Sequence, residues 1–235
     1  DQYVPTYGRD AILIHPQGYI SDEQASWNVT NEISQAPDVE FLQEILDGVL
    51  SAQNVKPCAM LIGTSNGAAM AQRFLIESHR PEVLGMVACA SQMLHKAYQD
   101  GEFRKGSPDN SYMHAVDVAD RRSVMYILGG LDTIVHNEYS DPGCGSQQNA
   151  CQTPTGGALS AFASACVWAQ AFGHSGECLP LSMQATYDNR AVMSVRYDLE
   201  ESQSEAHVFL DNAHTCRGAT SLARAFVRDV FARRN

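Results

Sequence analysis

With 235 residues, the chain is long enough for one α/β domain with a sizeable core and short for two. Its formal charge of −11, from 16 basic and 27 acidic residues, gives an acidic surface that repels phosphate backbones and anionic lipid, so neither nucleic acid nor a membrane surface is expected as a partner. A hydrophobic content of 44% and a charged content of 18% are those of an ordinary globular protein, and no apolar run approaches the roughly 18 residues that a membrane span needs.

In chain order, AILIH (residues 11–15) reads as a short buried strand. Residues 38–53 carry Val39, Leu42, Ile45, Leu46, Val49 and Leu50 at helical spacing, which predicts an amphipathic helix. CAMLIG (58–63) is too short for a helix and ends at glycine, so it reads as a buried strand, and 66–78, rich in Ala, Met, Gln and Leu, as the helix that follows. Strands are expected at 84–90, 123–129, 192–198 and 206–211, and a helix at 158–172. A closing helix at 217–233 places Leu222, Phe226, Val230 and Phe231 on one face. Apolar strands alternating with amphipathic helices predict a single α/β domain over 1–235, its mostly parallel sheet covered on both faces. In such sheets function collects where the strands end at their carboxyl side.

The seven cysteines contain no CxxC pair, which argues against a zinc ribbon or a thioredoxin-like site. Cys144 and Cys151 bracket a short polar loop that a disulfide closes easily, and Cys166 and Cys178 bracket a helix end and its following loop. Cys58 and Cys89 lie in apolar strand-like runs and read as buried free thiols. One or two disulfides imply a secreted or otherwise extracytoplasmic protein. Asn28-Val29-Thr30 forms a glycosylation sequon. The chain opens on Asp1 and shows no basic-then-apolar leader, the expectation for a mature or trimmed product.

The chemistry-bearing residues follow three strands. Gly63-Thr64-Ser65-Asn66-Gly67 joins an apolar strand directly to a helix, as a nucleophile elbow requires. Ser65 then stands at a helix N-terminus, with the Asn66 backbone N–H available to an oxyanion. A serine hydroxyl needs a base to take its proton, and the chain order for such an elbow is serine, acid, histidine. Asp132 follows the strand at 123–129, with Asp141 as its competitor, and His214 follows the strand at 206–211. His15, His79 and His95 come too early in the chain, His136 is too near Asp132, His174 follows a helix, and His207 sits inside a strand pattern. HExxH, Walker and GxGxxG motifs are absent from the sequence, so no metal or nucleotide cofactor is expected.

These residues carry a resemblance. DVEFLQEILDGVLSAQNVKPCAMLIGTSNGAAMAQRF resembles the polyhydroxybutyrate-depolymerase and feruloyl/acetylxylan-esterase group of α/β hydrolases, which shows an aspartate-led helix, a strand and then G-x-S-N-G-G-x-M-A. Ser65, Asn66, Gly67, Met70 and Ala71 match, while Ala68 replaces the second glycine. Upstream, Pro16, Gly18, Trp27 and Asn28 match the group's turn and Trp-Asn pair, with Gln17 in place of an acid. Downstream, GGLDTIV resembles the segment bearing the acid and AHVFLDNAHTCRG the segment bearing the histidine, without the usual Trp-Pro-Gly.

The resemblance implies an α/β-hydrolase fold and a serine carboxylic-ester hydrolase acting through an acyl-enzyme. Ser65, Asp132 and His214 would be its catalytic residues and Asn66 N–H its oxyanion donor. Its substrates would be polyester oligomers or feruloyl and acetyl sugar esters, and Trp27 is expected in the substrate site. The group's earlier strand, whose His-Gly loop supplies a second oxyanion donor, has no counterpart in residues 1–235. A peptidase of the same fold and a non-catalytic or partner-dependent binding protein stand as alternatives.

Overall fold

The computed structural model describes residues 11–135 and 158–234, apart from 31, 33, 53, 119, 120, 180, 181, 188 and 217. In chain order the elements are the strands β1 (Tyr19–Ser21) and β2 (Gln24–Ser26), helix α1 (Asp38–Leu50), β3 (Ala59–Thr64), α2 (Asn66–Glu77) and β4 (Val83–Cys89). A 3-10 turn (His95–Ala97), β5 (Tyr98–Gln99), β6 (Glu102–Lys105), β7 (His114–Val116) and β8 (Ser123–Gly129) follow. The chain continues with α3 (Ala161–Ala171), β9 (Ser182–Tyr187), β10 (Arg190–Asp198), β11 (Gln203–Phe209) and α4 (Thr220–Ala232).

The main sheet has the order β3-β4-β8-β11-β10-β9. Its first four strands run parallel, and β10 and β9 are added antiparallel. This is the mostly parallel α/β sheet that the alternation of elements predicts. Every residue of β4, β8 and β11 is buried, because each strand is covered on both faces. Period-two alternation divides the core between those faces. Val124, Tyr126 and Leu128 of β8 join Phe74 of α2 and Trp168 of α3, whereas Met125 and Ile127 join Phe226, Val227 and Val230 of α4. On the first face, Trp168 Nε1 donates to the Tyr126 hydroxyl at 2.9 Å, which donates to Gln72 Oε1 at 3.0 Å. This chain satisfies the polar atoms of three buried side chains and keys α3 and α2 to the central strand.

Some expectations are corrected. AILIH at 11–15 forms no strand: Ile12 and Ile14 are 62% and 43% exposed, and no described strand pairs with the segment. A strand needs a neighbour to complete its backbone hydrogen bonds, and apolarity alone does not make a run into one. The short strands β1, β2, β5, β6 and β7 and the edge strand β9 were not expected, since their sequences lack a sustained apolar or alternating pattern.

Among the cysteines, Cys166 pairs with Cys178 (Cα–Cα 5.5 Å), while Cys58 is a free, half-buried thiol. Cys89 is not free: it is bonded to Cys216, whose position 127 residues downstream hides the pairing from local spacing. Cys144 and Cys151 lie outside the described residues. Two disulfides fit an oxidising, extracytoplasmic environment. Among the described residues no helix is long and apolar enough to cross a membrane. The sequon's Asn28 is 3% exposed, and its amide donates to the Ala36 carbonyl at 3.1 Å and accepts from Asn110, so it is a structural residue rather than an exposed acceptor.

The strand packing sets a prediction at two glycines. A Cβ at Gly85 would fall 1.9 Å from the Ser123 carbonyl oxygen, between the paired strands β4 and β8, whereas one at Gly48 in α1 meets nothing within 4 Å. Gly85→Ala is expected to destabilise by about 1–3 kcal/mol. Gly48→Ala is expected to stabilise by about 0.5–1 kcal/mol, because alanine restricts the unfolded chain and favours the helix. Urea unfolding of the two variants beside the wild type checks both signs.

Candidate active site

The loops after β3, β8 and β11 meet at the carboxyl end of the parallel strands. The turn after β3 is the sharpest. Ser65 has φ 54° and ψ −123°, a left-handed backbone at a non-glycine residue, between the last residue of β3 and the first of α2. Such a conformation costs about 1–3 kcal/mol and persists only where its surroundings enforce it. They do so here: Ser65 N–H donates to the Cys89 carbonyl at 2.8 Å, and the Ser65 carbonyl accepts from Ala68 N at 2.9 Å and Ala69 N at 3.1 Å.

Gly63 is required by close approach, since its Cβ would stand 2.2 Å from the Gly67 carbonyl oxygen. Gly67 is different. A Cβ there would make only an ordinary 3.7 Å contact with Trp27 Nε1, so glycine at this position leaves room between the helix and the indole instead of relieving a backbone clash.

The two remaining loops are tied to one another. Parallel pairing sets Phe209 at the end of β11 opposite Gly129 at the end of β8. Beyond them, Gly130 N–H donates to the Phe209 carbonyl (2.8 Å) and Leu131 N–H to the Asn212 carbonyl (2.7 Å). The loops therefore leave the sheet as a bonded pair, and they bring Asp132 and His214 together. His214 Nδ1 stands 2.8 Å from Asp132 Oδ2, and His214 Nε2 stands 2.9 Å from Ser65 Oγ. The second oxygen of Asp132 accepts from Ile134 N and Val135 N, both at 2.9 Å, which fixes the carboxylate from behind. Asp132 is buried, and His214 and Ser65 are half-buried. The three residues singled out by chain order thus form one continuous hydrogen-bonded relay. In such a relay an imidazole that holds its Nδ1 proton against a carboxylate presents a basic Nε2 to the hydroxyl.

Asn66 is the first residue of α2, where the backbone N–H has no helical acceptor, and it directly follows Ser65. Trp27 is half-buried beside the elbow, 6.4 Å from the Phe41 ring at a 30° tilt. Asp141 and His136 lie outside the described residues. His207, read as structural, is buried in a separate polar chain between Ser194 and Glu205. Among the described residues, no group of three His, Cys, Asp or Glu side chains is placed to hold a metal ion.

Three supports of the site escaped the sequence reading. The Cys89–Cys216 disulfide links the end of β4, to which Ser65 is bonded, with the loop that carries His214 two residues earlier. Arg190 of β10 grips the start of the same loop through Asp211 (2.7 and 3.1 Å) and Asn212. The Asn66 side chain holds the Trp27 backbone, as described below. The first two are long-range pairings for which the chain offers no local signal. The third joins residues 39 apart in the chain, again without a local signal.

Comparison of the chain with protein-family models yields no match, and comparison with curated proteins yields none. The functional reading therefore stands on the geometry of the site.

The disulfide's position yields a prediction. Replacing Cys89 and Cys216 together by alanine is expected to lower stability by about 2–5 kcal/mol. Thermal unfolding of the double variant beside the wild type checks this.

Proposed function

We propose that this chain is a secreted serine carboxylic-ester hydrolase of the α/β-hydrolase fold. The observation that carries the proposal is the unbroken Ser65–His214–Asp132 relay, set on a strand–turn–helix elbow with φ 54° at the serine. Its elements support the fold reading: the nucleophile follows one parallel strand, the acid a second and the histidine a third, in the chain order of that fold.

In the proposed reaction His214 Nε2 takes the Ser65 hydroxyl proton as Oγ forms a bond to the ester carbonyl carbon. The carbonyl oxygen becomes an oxyanion, stabilised by the Asn66 N–H at the N-terminus of α2. When the tetrahedral intermediate collapses, the carbon–alkoxy bond breaks, and His214 returns its proton to the departing alcohol. Water then attacks the acyl-enzyme with His214 again as base, releasing the carboxylic acid and restoring Ser65. Asp132 stays ionised throughout, holding the imidazole in the required tautomer and stabilising its cation.

The apolar rim supports an ester with an apolar part as substrate. Leu131 and Ile134 flank Asp132 at 61% and 65% exposure, and Trp27 stands at the elbow. Polyester oligomers and feruloyl or acetyl sugar esters are the substrate classes proposed, in keeping with the resemblance of the elbow and its flanking segments. The reading calls for no cofactor.

The test is hydrolysis of p-nitrophenyl acetate and butyrate. Wild type is expected to turn both over. Ser65→Ala should lower kcat by about 10^6-fold and Asp132→Asn by about 10^4-fold, with far-UV circular dichroism unchanged. A fluorophosphonate should add once, at Ser65, as read by peptide mass. A folded wild type that neither hydrolyses these esters nor takes the label overturns the proposal.

A further inference from the structure

Helix α2 does more than present Ser65. Along one side it grips the loop that carries Trp27. At its first residue, Asn66 Oδ1 accepts from Trp27 N–H at 2.7 Å, and Asn66 Nδ2 donates to the Trp27 carbonyl at 3.1 Å. One side-chain amide thus satisfies both backbone groups of a single residue, as a neighbouring strand would. Asn66 Nδ2 also donates to Glu32 Oε1 at 3.1 Å. Glu32 folds the loop back on itself, its other oxygen accepting from Val29 N at 2.9 Å and from Thr30 N.

Two helical turns further along, buried Arg73 donates to the Asn28 carbonyl, to Asn110 Oδ1 and to Ser107 Oγ, and is paired with Glu77 at 2.8 Å. From the other side Asp38, at the start of α1, accepts from Asn28 N–H at 2.6 Å. Burial holds the Asp38 carboxyl above its ordinary value, opposed by that N–H and by Arg73. The backbone of residues 27–30 is therefore fixed at every step, and the indole it carries is held at the elbow while still half-buried rather than packed away.

We infer that the Asn66 side chain, braced by Glu32, is a positioning residue that sets the Trp27 indole as a rigid wall of the acyl subsite, and so governs which acyl groups are accepted. The inference rests on the ester-hydrolase reading of the same site. It separates two contributions of Asn66: the backbone N–H faces the oxyanion, whereas the side chain faces Trp27. The acyl side is assigned because the departing alcohol takes its proton from His214, which reaches the elbow from the β8–β11 side. The acyl group then points away from the histidine, towards the segment of Trp27 and Phe41. A flat apolar wall fixed in advance favours acyl groups with apolar area, above all planar ones, since no ordering cost falls on binding.

The test uses the whole chain, with Asn66→Ala, Glu32→Ala, Trp27→Ala and the Asn66→Ala/Trp27→Ala double variant. kcat and KM are measured for p-nitrophenyl benzoate and p-nitrophenyl acetate, which share a leaving group. The benzoate-to-acetate ratio of kcat/KM is expected to fall about tenfold in Asn66→Ala, through KM, and by a similar factor in Trp27→Ala. The double variant should show no further loss in that ratio, because the two residues act as one unit. Glu32→Ala should shift the ratio in the same direction.

Fluorescence provides a readout independent of turnover. The chain has two tryptophans, and Trp168 is fully buried, so acrylamide reaches Trp27 selectively. Quenching should rise in Asn66→Ala and Glu32→Ala. An unchanged ratio in Asn66→Ala, equal losses on both esters through kcat, or unchanged quenching would each overturn the inference while leaving the hydrolase reading in place. A folded wild type that turns over neither ester overturns both.

Discussion

The left-handed backbone at Ser65 is the constraint on which the rest of the site depends. A serine held at φ 54° between a strand and a helix turns the chain sharply, and the first amide of the helix follows it directly. That conformation is unfavourable in isolation, so the neighbourhood must hold it. Gly63 lets the backbone of Gly67 approach, the Cys89 carbonyl takes the Ser65 N–H, and the Ser65 carbonyl starts the helix. Residues that look like ordinary turn formers are thus parts of one device. The neighbouring strand β4 belongs to it through Cys89, which both accepts from Ser65 and bonds to Cys216.

The other half of the site solves a different physical problem. Ser65 and His214 are 149 residues apart and Asp132 and His214 82 apart, so their contact must be carried by the sheet. Parallel pairing of β8 with β11 sets both strand ends level, and the backbone bonds beyond Gly129 and Phe209 continue the pairing into the loops. The buried Asp132 carboxylate is held by two N–H groups and by His214, which satisfies a charge that would be costly to bury alone. Rigidity at the rim comes from Arg190 on one side and the disulfide on the other.

Much of this was legible in the chain, for reasons that differ from element to element. Helices α1, α2, α3 and α4 announce themselves by apolar spacing or by good helix formers, and the long strands by apolar runs of strand length. Ser65, Asp132 and His214 were readable because each follows such a run, in an order that topology dictates. What failed to show was whatever depends on a distant partner. AILIH has the composition of a strand but no described strand beside it. Cys89 looks like a core thiol until Cys216 is brought near it. The sequon at Asn28 carries no sign of its burial, which comes from the polar grip of Asp38, Arg73 and Asn110.

The molecule also contains a contrasting serine, histidine and carboxylate arrangement. Ser194 Oγ stands 2.8 Å from His207 Nδ1, and His207 Nε2 stands 2.8 Å from Glu205, itself paired with Arg196 at 3.3 Å. By hydrogen-bond connectivity alone this is a second serine–histidine–acid relay. Its serine lies inside β10 and is 4% exposed, within a regular strand pairing opposite His207. Among the described residues no helix begins beside it to offer amides to an oxyanion, and burial denies a carbonyl carbon the approach to Oγ. The chain of bonds there satisfies polar groups in the sheet. The relay at Ser65 uses Asp132 where this one uses Glu205 and turns its imidazole the other way round, with Nε2 and not Nδ1 at the serine, and it differs further in its backbone, its access and its helix N-terminus. Those differences are what the turn at Ser65 supplies, and they are why Ser65 and not Ser194 is the serine proposed as nucleophile.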